Sequence, residues 1–472
     1  MPNFVLGRTG AAQVVTVPIF VSLVDTLGQP VSGAQCTLVA SNGGSVSFAL
    51  NGLGQFSNTG LSIAQGLATV TATANGFTNG PWVATAIVGQ AGVQIRFDSW
   101  TPTPIRQAAS TARQEYGVYK TGVAAGTRDK YLWPFAANSA WNTPIGSNAI
   151  YASAGYAFNN NRGYMTRVIT EEEYIFLDPS APLTTIRYSN AEWTGADRCP
   201  PSGSSGQFPI SVRMPSTYTI PSDGGNNVAA HVDGDIVKHH QPICRCTPGA
   251  DGTSFVTFAD VNIKTSTGEN GGHGGSNLSG LGGTIRYGEL TNAKLNNLSY
   301  LSHALKMNWD ATYYYYWGGG GSGLSWRWPA TTDDGYANGT TYGGSNSQVK
   351  PGSLIALLPT FNVSALQSEL GKIIAGTLIR FGAYLCDDTT WNACAMSLEK
   401  GPAGNVNDEV ASLYSGLSWR EEPSTPFDRT TWYKDWEVMA AAFQVITNNA
   451  SNNVGGGGTP ILGTLTAPAF GN

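Results

Sequence analysis

The sequence predicts a mainly β protein in two parts: a small antiparallel sandwich, then a large β-sandwich or jelly-roll-like region with a few helices packed outside it. Three observations carry this reading. Residues 14–97 alternate short β-type runs (VVTVPIFVSLVD, AQCTLVA, SVSFAL, GLATVTATANGF) with turns such as TLGQPVSG and NGLGQFSNTG, the rhythm of hairpin-connected strands. Beyond residue 131 the runs TRVITEEEYIFL, TTIRYS, DGDIVKHHQPICR, SFVTFADVNI, GTIRYGEL and GSLIALLP are separated by turn-rich segments. Composition agrees: 59 glycines, 25 prolines and only 12% charged residues, where a helical enzyme would be richer in Glu and Lys.

Taken in order, residues 1–97 form the first sandwich and 98–132 a connector. The connector has a weak helical centre at 105–118, suited to an oligomer neck. The large region is 133–450, and a Gly/Pro-rich tail, 451–472, reads as a trailing extension or a strand lent to a neighbour. Two helices stand out in the large region. Residues 364–385 place Leu366, Leu370, Ile373, Thr377, Leu378 and Phe381 on one face, and 434–448 are similarly amphipathic. A short helix is expected at SHALKM, 302–307.

Charge and hydropathy exclude some functions. The net charge is −5 with no basic run, so no nucleic-acid partner is expected. No apolar stretch approaches the roughly 20 residues of a membrane helix, so no membrane span is expected. The N-terminus, MPNFVLGRTGAAQVVTVPIF, lacks the pattern of a secretory signal. Export with a signal since removed, or release at lysis as a virion part, would each fit. Of six cysteines, Cys386 and Cys394 could close a short loop and Cys199 could reach Cys244 or Cys246. None has CxxC spacing, so no metal site is assigned.

All five histidines fall between residues 231 and 303, which singles out that stretch. In GENGGHGGSNLSGLGGTIRYGEL, 268–290, His273 stands among glycines that allow tight turns and close backbone approach. The loop lacks a Walker lysine and precedes a β-type run, so nucleotide binding is not indicated. His273 is therefore a candidate acid or base, with Glu289, His303, Asp334 and Arg286 beside it and Asp333 and Asp388 as further partners. Two carboxyls could cleave a glycosidic bond. A lyase would instead use a histidine or tyrosine, with Arg286 or Arg327 holding a uronate. The competing use of His273 is structural, its ring tying loop carbonyls. His239 and His240 must point to opposite faces of a strand, leaving at most one beside Asp233, Asp235 and Gln241, an arrangement commoner on a solvated face than at a metal. Asp387 and Asp388 could cap a turn, ligate a structural calcium or face the site. No other cofactor is called for.

The aromatic run YYYYWGGGGSGLSWRWP, 313–329, supplies binding candidates: Tyr314, Tyr316, Trp317, Trp326, Arg327 and Trp328, with Tyr336 just beyond. Strand alternation cannot bury all of these rings in one core. Exposed aromatic clusters mark a ligand, here a carbohydrate stacking on the ring faces, or a subunit interface.

The order VTVPIFVSLVDTLGQPVSGAQCTLVA resembles bacterial Ig-like repeats and the N-terminal adaptor modules of phage fibre proteins, which implies an Ig-like mount. WPFAANSAWNTPIG, NNVAAHVDGDIVKHHQPICRC, GGHGGSNLSGLGGTIRYGEL, SHALKMNW, WRWPATTDDGYA, YGGSN and FGAYLCDDTTWN, spanning roughly 133–392, resemble a family of large, mostly uncharacterised extracellular bacterial proteins. More loosely, the region is similar to jelly-roll polysaccharide lyases and glycoside hydrolases. Together these imply a virion-borne or extracellular fibre or spike, a homo-oligomer mounted through its N-terminal domain on a virion or cell-surface protein, that binds host surface polysaccharide. A polysaccharide lyase or glycosidase, and a purely structural decoration or adhesin subunit, are the alternatives.

Overall fold

The computed structural model describes the strands within the first 104 residues, with residues 34 and 50, and then residues 128, 130–131, 133–156, 167–295, 297–414, 417–420, 430–464 and 466–470. The fold is mainly β. The chain divides into two compact units, Met1–Arg106 and Gln107–Asn472. The helix expected at 105–118 lies outside the described residues.

Unit one holds β1 (Val14–Ser22), β2 (Gln35–Ala40), β3 (Ser45–Ala49), β4 (Gln55–Ala64), β5 (Gly66–Thr73), β6 (Phe77–Thr78), β7 (Trp82–Val88), β8 (Val93–Arg96) and β9 (Thr103–Pro104). They make an antiparallel sheet β3-β2-β5-β7, a second sheet β4-β1-β8 and the short pair β6-β9. In β2, Cys36 and Leu38 are buried while Gln35 and Val39 are exposed, the period-2 pattern of a strand with one face on a core. Much of NGLGQFSNTG is strand β4 and not a turn: from Gln55 onward it pairs with β1.

The second unit is built on one twelve-stranded mixed sheet. Its strands are β10 (Tyr151–Ser153), β11 (Val168–Phe176), β14 (Ala229–Asp233), β15 (Ile236–Gln241), β17 (Val256–Thr257), β18 (Val261–Asn262), β19 (Leu305–Trp309), β20 (Leu354–Ala356), β21 (Ala383–Asp388), β22 (Cys394–Gly401), β23 (Gly404–Asn405) and β24 (Gln444–Ile446). The main path runs β10-β24-β20-β21-β19-β22-β11-β14-β15-β17. A smaller sheet joins β12 (Leu183–Tyr188), β13 (Ile210–Arg213) and β16 (Gly252–Ser254).

Alternation along the central strands sorts side chains to two faces. Leu305, Met307, Trp309, Leu385, Met396 and Leu398 enter a core shared with the helices, whereas Leu354, Tyr384, Cys386 and Ile446 enter a second core on the other side. Described helices are α1 (Glu289–Leu295), α2 (Ala311–Tyr314), α3 (Glu369–Arg380), α4 (Val406–Leu413) and α5 (Thr431–Ala441). Helix α3 starts at Glu369, later than its apolar pattern suggests. Ser368 accepts from the Gly371 N–H at 2.9 Å as its cap, and Asp435 of α5 accepts from the Gln367 and Ser368 backbone. α5 stops at Ala441 because Gln444–Ile446 is needed as a strand between β10 and β20.

Four local expectations fail. Residues of SHALKM from Leu305 onward form β19, because Leu305 and Met307 alternate with Lys306 between the paired strands β21 and β22. GTIRYGEL is not a strand: Ile285 makes a single bridge to Leu398, and α1 begins at Glu289. Cys386 and Cys394 are both free, because β19 lies between β21 and β22 in the sheet. The tail is no trailing extension over residues 451–463, since Gly146 and Asn148 donate to the Gly455 and Gly457 carbonyls at 3.0 Å each, and Ile461 donates to Ile145 at 3.1 Å.

Candidate active site

Strand β11 creates the opening. It pairs with β22 along Val168–Tyr174 but with β14 only from Tyr174 to Phe176. Over the preceding residues the two neighbours diverge, and a polar cleft of about 620 Å³ occupies the gap. Glu171, Asp223, Asn226, Asn407 and Arg420 are among the residues on its walls.

The TEEEY run in β11 distributes three carboxylates by the two-residue period. Glu172 faces α4, where it pairs with Lys400 at 2.6 Å and accepts from Asn405 and Asn407. Glu171 and Glu173 face the other way, toward the glycine-rich loop. Lys306 of β19 points to that same side and bonds Glu173 at 2.8 Å.

The loop delivers His273 between two carboxylates. Its Nε2 lies 2.7 Å from Glu173 Oε1 and its Nδ1 3.2 Å from Asp387 Oδ2, and the ring is 0% exposed. A tight turn holds it: the His273 N–H donates to Leu278 and the Asn277 N–H to His273. Glycine is required at two positions here. Gly272 has φ +143, and a Cβ on it would lie 2.4 Å from the Gly280 nitrogen. A Cβ on Gly275 would lie 2.5 Å from Asp387 Oδ1 and 2.8 Å from Asp334 Oδ1, so the bare backbone makes room for two carboxyls that converge on it.

Electrostatics separate these groups. Burial alone would raise the Glu173 carboxyl, but the His273 ring and the Lys306 ammonium overcome it and hold it near 2. Burial opposes protonation of His273. The Cys386 sulfur and Glu173 favour it and win, so the ring stays charged above the ordinary histidine range. Glu171 is pushed up to about 8, by burial first and then by Glu173. Burial and the neighbouring Asp387 also hold Asp334 well above the carboxylate range, and its Oδ2 accepts from the Tyr342 hydroxyl at 2.7 Å. Asp387 accepts from the Asp388 N–H at 2.9 Å and from Asn226 Nδ2 at 3.5 Å. Asn226 also lines the cleft beside Glu171. A carboxyl raised to about 8 on a cleft wall, with a hydrogen-bond-accepting carboxyl behind the same wall, is an arrangement suited to acid–base work.

The residues picked from sequence separate into two groups. His273 and Asp334 belong to this cluster. Glu289, His303 and Arg286 form another, in which His303 Nε2 meets Glu289 Oε1 at 2.9 Å, Nδ1 meets the Ala304 carbonyl at 2.8 Å, and Arg286 pairs with Glu399 at 3.1 Å. Glu289 also accepts from the Arg286 N–H, and Glu409 from the Gly288 and Thr291 N–H groups, tying down the start of α1. Arg286 and His303 border a void of only about 10 Å³. Asp333 accepts from Ser325; Asp388 caps backbone N–H groups of Ala311 and Thr390 and accepts from Tyr336 at 2.9 Å.

The aromatic candidates also divide. Tyr314 is in the core, stacked on Tyr156 at 5.0 Å. Trp317 stands edge-on to Tyr342 and Trp328 to Tyr384, both half-buried. Tyr316 lies beneath Lys350 and Trp326 is half-buried. Arg327 donates to the Thr447 and Asn449 carbonyls and lines a second pocket, of about 340 Å³, with Trp328 and Lys350. Tyr336, 47% exposed, is the most open ring of the set.

Sequence reasoning missed Glu171, Glu173, Lys306 and Asn226. The available signal was three consecutive acids inside an otherwise apolar strand. Asp233 and Asp235 pair with Arg213, Lys130 and Lys264, and His239 and His240 do take opposite faces: His239 meets Ser279 of the loop and His240 meets His231. Among the described residues, three candidate metal-ligand atoms converge only at Cys199, Cys244 and Cys246.

No protein-family model matches this chain, and no curated protein matches it in sequence.

Proposed function

We propose that this protein hydrolyses a polysaccharide outside the cell, with Glu171 as general acid and Asp387 as the carboxylate that activates water. The observation that carries this reading is Glu171 on the wall of the 620 Å³ cleft, its carboxyl pushed up to about 8, with Asn226 on the same wall donating to Asp387 behind it. A glycan chain in the cleft would receive the Glu171 proton on its glycosidic oxygen as the C–O bond breaks. Asp387, buried behind the cleft wall, would act on the anomeric carbon through water. The Lys306–Glu173–His273 chain fixes Asp387 and supplies the positive charge that keeps Glu173 ionised. In this reading the N-terminal unit is an Ig-like mount on a virion or cell-surface protein, and the assembly is a homo-oligomeric fibre or spike.

A second reading, attachment to host surface polysaccharide without cleavage, is favoured by the separate pocket at Arg327, Trp328 and Lys350. Purified capsular and exopolysaccharides incubated with the protein distinguish the two. Hydrolysis gives shorter chains with new reducing ends and saturated non-reducing ends, and Glu171→Gln abolishes them. Binding with unchanged chain length supports attachment, and unsaturated uronates would mean a lyase.

A further inference from the structure

Away from the cleft, three sulfurs meet. Cys199 and Cys246 are disulfide-bonded, and the free Cys244 sits against both, its Sγ 3.7 Å from Cys199 Sγ and 3.5 Å from Cys246 Sγ. Sequence explains the geometry. Cys244 and Cys246 are two residues apart in an extended segment whose Arg245 bridges Ile220, so their side chains fall on one side. Cys199 is brought up by its neighbour Arg198, anchored on the Glu192 and Gly225 carbonyls at 2.7 and 2.6 Å.

A disulfide needs only two of these cysteines. Zinc bound tetrahedrally by thiolates at about 2.3 Å spaces its sulfurs by about 3.8 Å, and both non-bonded separations are close to that edge. The Ile220 carbonyl also faces the group, 3.3 Å from Cys244 Sγ and 4.0 Å from Cys246 Sγ. Cys244 is buried and Cys246 exposed, so the cluster has an inner anchor and an open entrance. Burial pushes the Cys244 thiol up to about 11, and the nearby Arg198 offsets this only in part.

We propose that, once the Cys199–Cys246 disulfide is reduced, Cys199, Cys244 and Cys246 together bind one thiophilic divalent cation, zinc. A dithiol reductant gives up two electrons and two protons to Cys199 and Cys246 and becomes a disulfide itself. The cation then displaces the three thiol protons and forms three metal–sulfur bonds. A disulfide oxidant that accepts two electrons and is itself reduced to a dithiol restores the Cys199–Cys246 bond and releases the metal, so the same residues staple this part of the second unit in either environment.

The test uses the full chain, reduced without oxygen by a phosphine, which leaves as its oxide. Zinc uptake is read in competition with a chromophoric chelator, and Cd²⁺ uptake by thiolate-to-metal absorption. The expected result is one equivalent bound by reduced protein, none bound tightly by oxidised protein, and at least a 100-fold weaker affinity in Cys244→Ser. That variant retains the disulfide pair, so an unchanged thermal midpoint in the oxidised form certifies its fold. The buried Cys36, Cys386 and Cys394 remain in both proteins and supply a common background. No uptake by the reduced wild type, or equal uptake by Cys244→Ser, overturns the proposal.

Discussion

Glu171 is the residue on which the proposed chemistry turns, because a general acid must hold its proton at working pH. With its carboxyl raised to about 8, cleavage should hold through neutral pH and fall as pH rises through that value. Glu171→Gln should lower the rate about 10²- to 10⁴-fold; a pH–rate profile on a purified polysaccharide checks both. His273 has a different duty. With both ring nitrogens on carboxylates it is a positioning residue, and His273→Gln leaves Glu173 and Asp387 buried without their shared cation. Breaking a buried pair of this kind costs about 3–5 kcal/mol, which urea unfolding would measure. If stability is unchanged, the ring is not the link between β11 and β21 that its two short contacts indicate.

At the scale of elements, the glycine-rich loop and β11 do the assembling. Gly275→Ala puts a methyl against Asp387 and Asp334 and should displace both carboxyls. The expected result is loss of cleavage with a stability cost of about 1–3 kcal/mol, whereas full activity would show that the two carboxyls need not converge. The loop's importance was legible in sequence, since glycines that dense imply a folded turn, and His273 and Asp334 were found through it. Glu289, His303 and Arg286 were drawn in because they are neighbours in sequence, but the chain enters α1 at Glu289 and turns them into a helix-start network. Glu171, Glu173 and Lys306 were not legible because their meeting depends on strand order: β19, β22 and β11 become neighbours only through long crossovers. The aromatic run divides for a related reason. α2 and the loop after it send Tyr314 and Tyr315 into the core, while Tyr313 within the run and Tyr336 beyond it stay open.

For the molecule as a whole, the histidines set a pH dependence. Burial holds His231 near 4 and His239 near 3, and His240 well below the ordinary value of 6.5. They are neutral in the fold but protonated in the unfolded chain below pH 6.5, so acid favours unfolding. Stability from these three should fall as pH drops from 6.5 toward 4, by about 1 kcal/mol or more per ring. Glu171 and His273 act oppositely, because their raised values favour the fold at lower pH. His239→Gln, which can still accept from Ser279, isolates one ring: its urea midpoint should drop less between pH 7 and pH 5 than that of the wild type. An equal drop would mean His239 is already charged in the fold.

The most direct test of the central claim is the chain length of a purified bacterial surface polysaccharide after incubation with the wild type, Glu171→Gln and Asp387→Asn. Shortened chains whose new non-reducing ends are saturated, with the wild type alone, are the predicted result. Chains shortened equally by all three proteins, or by none across a panel of acidic and neutral capsules, would contradict it.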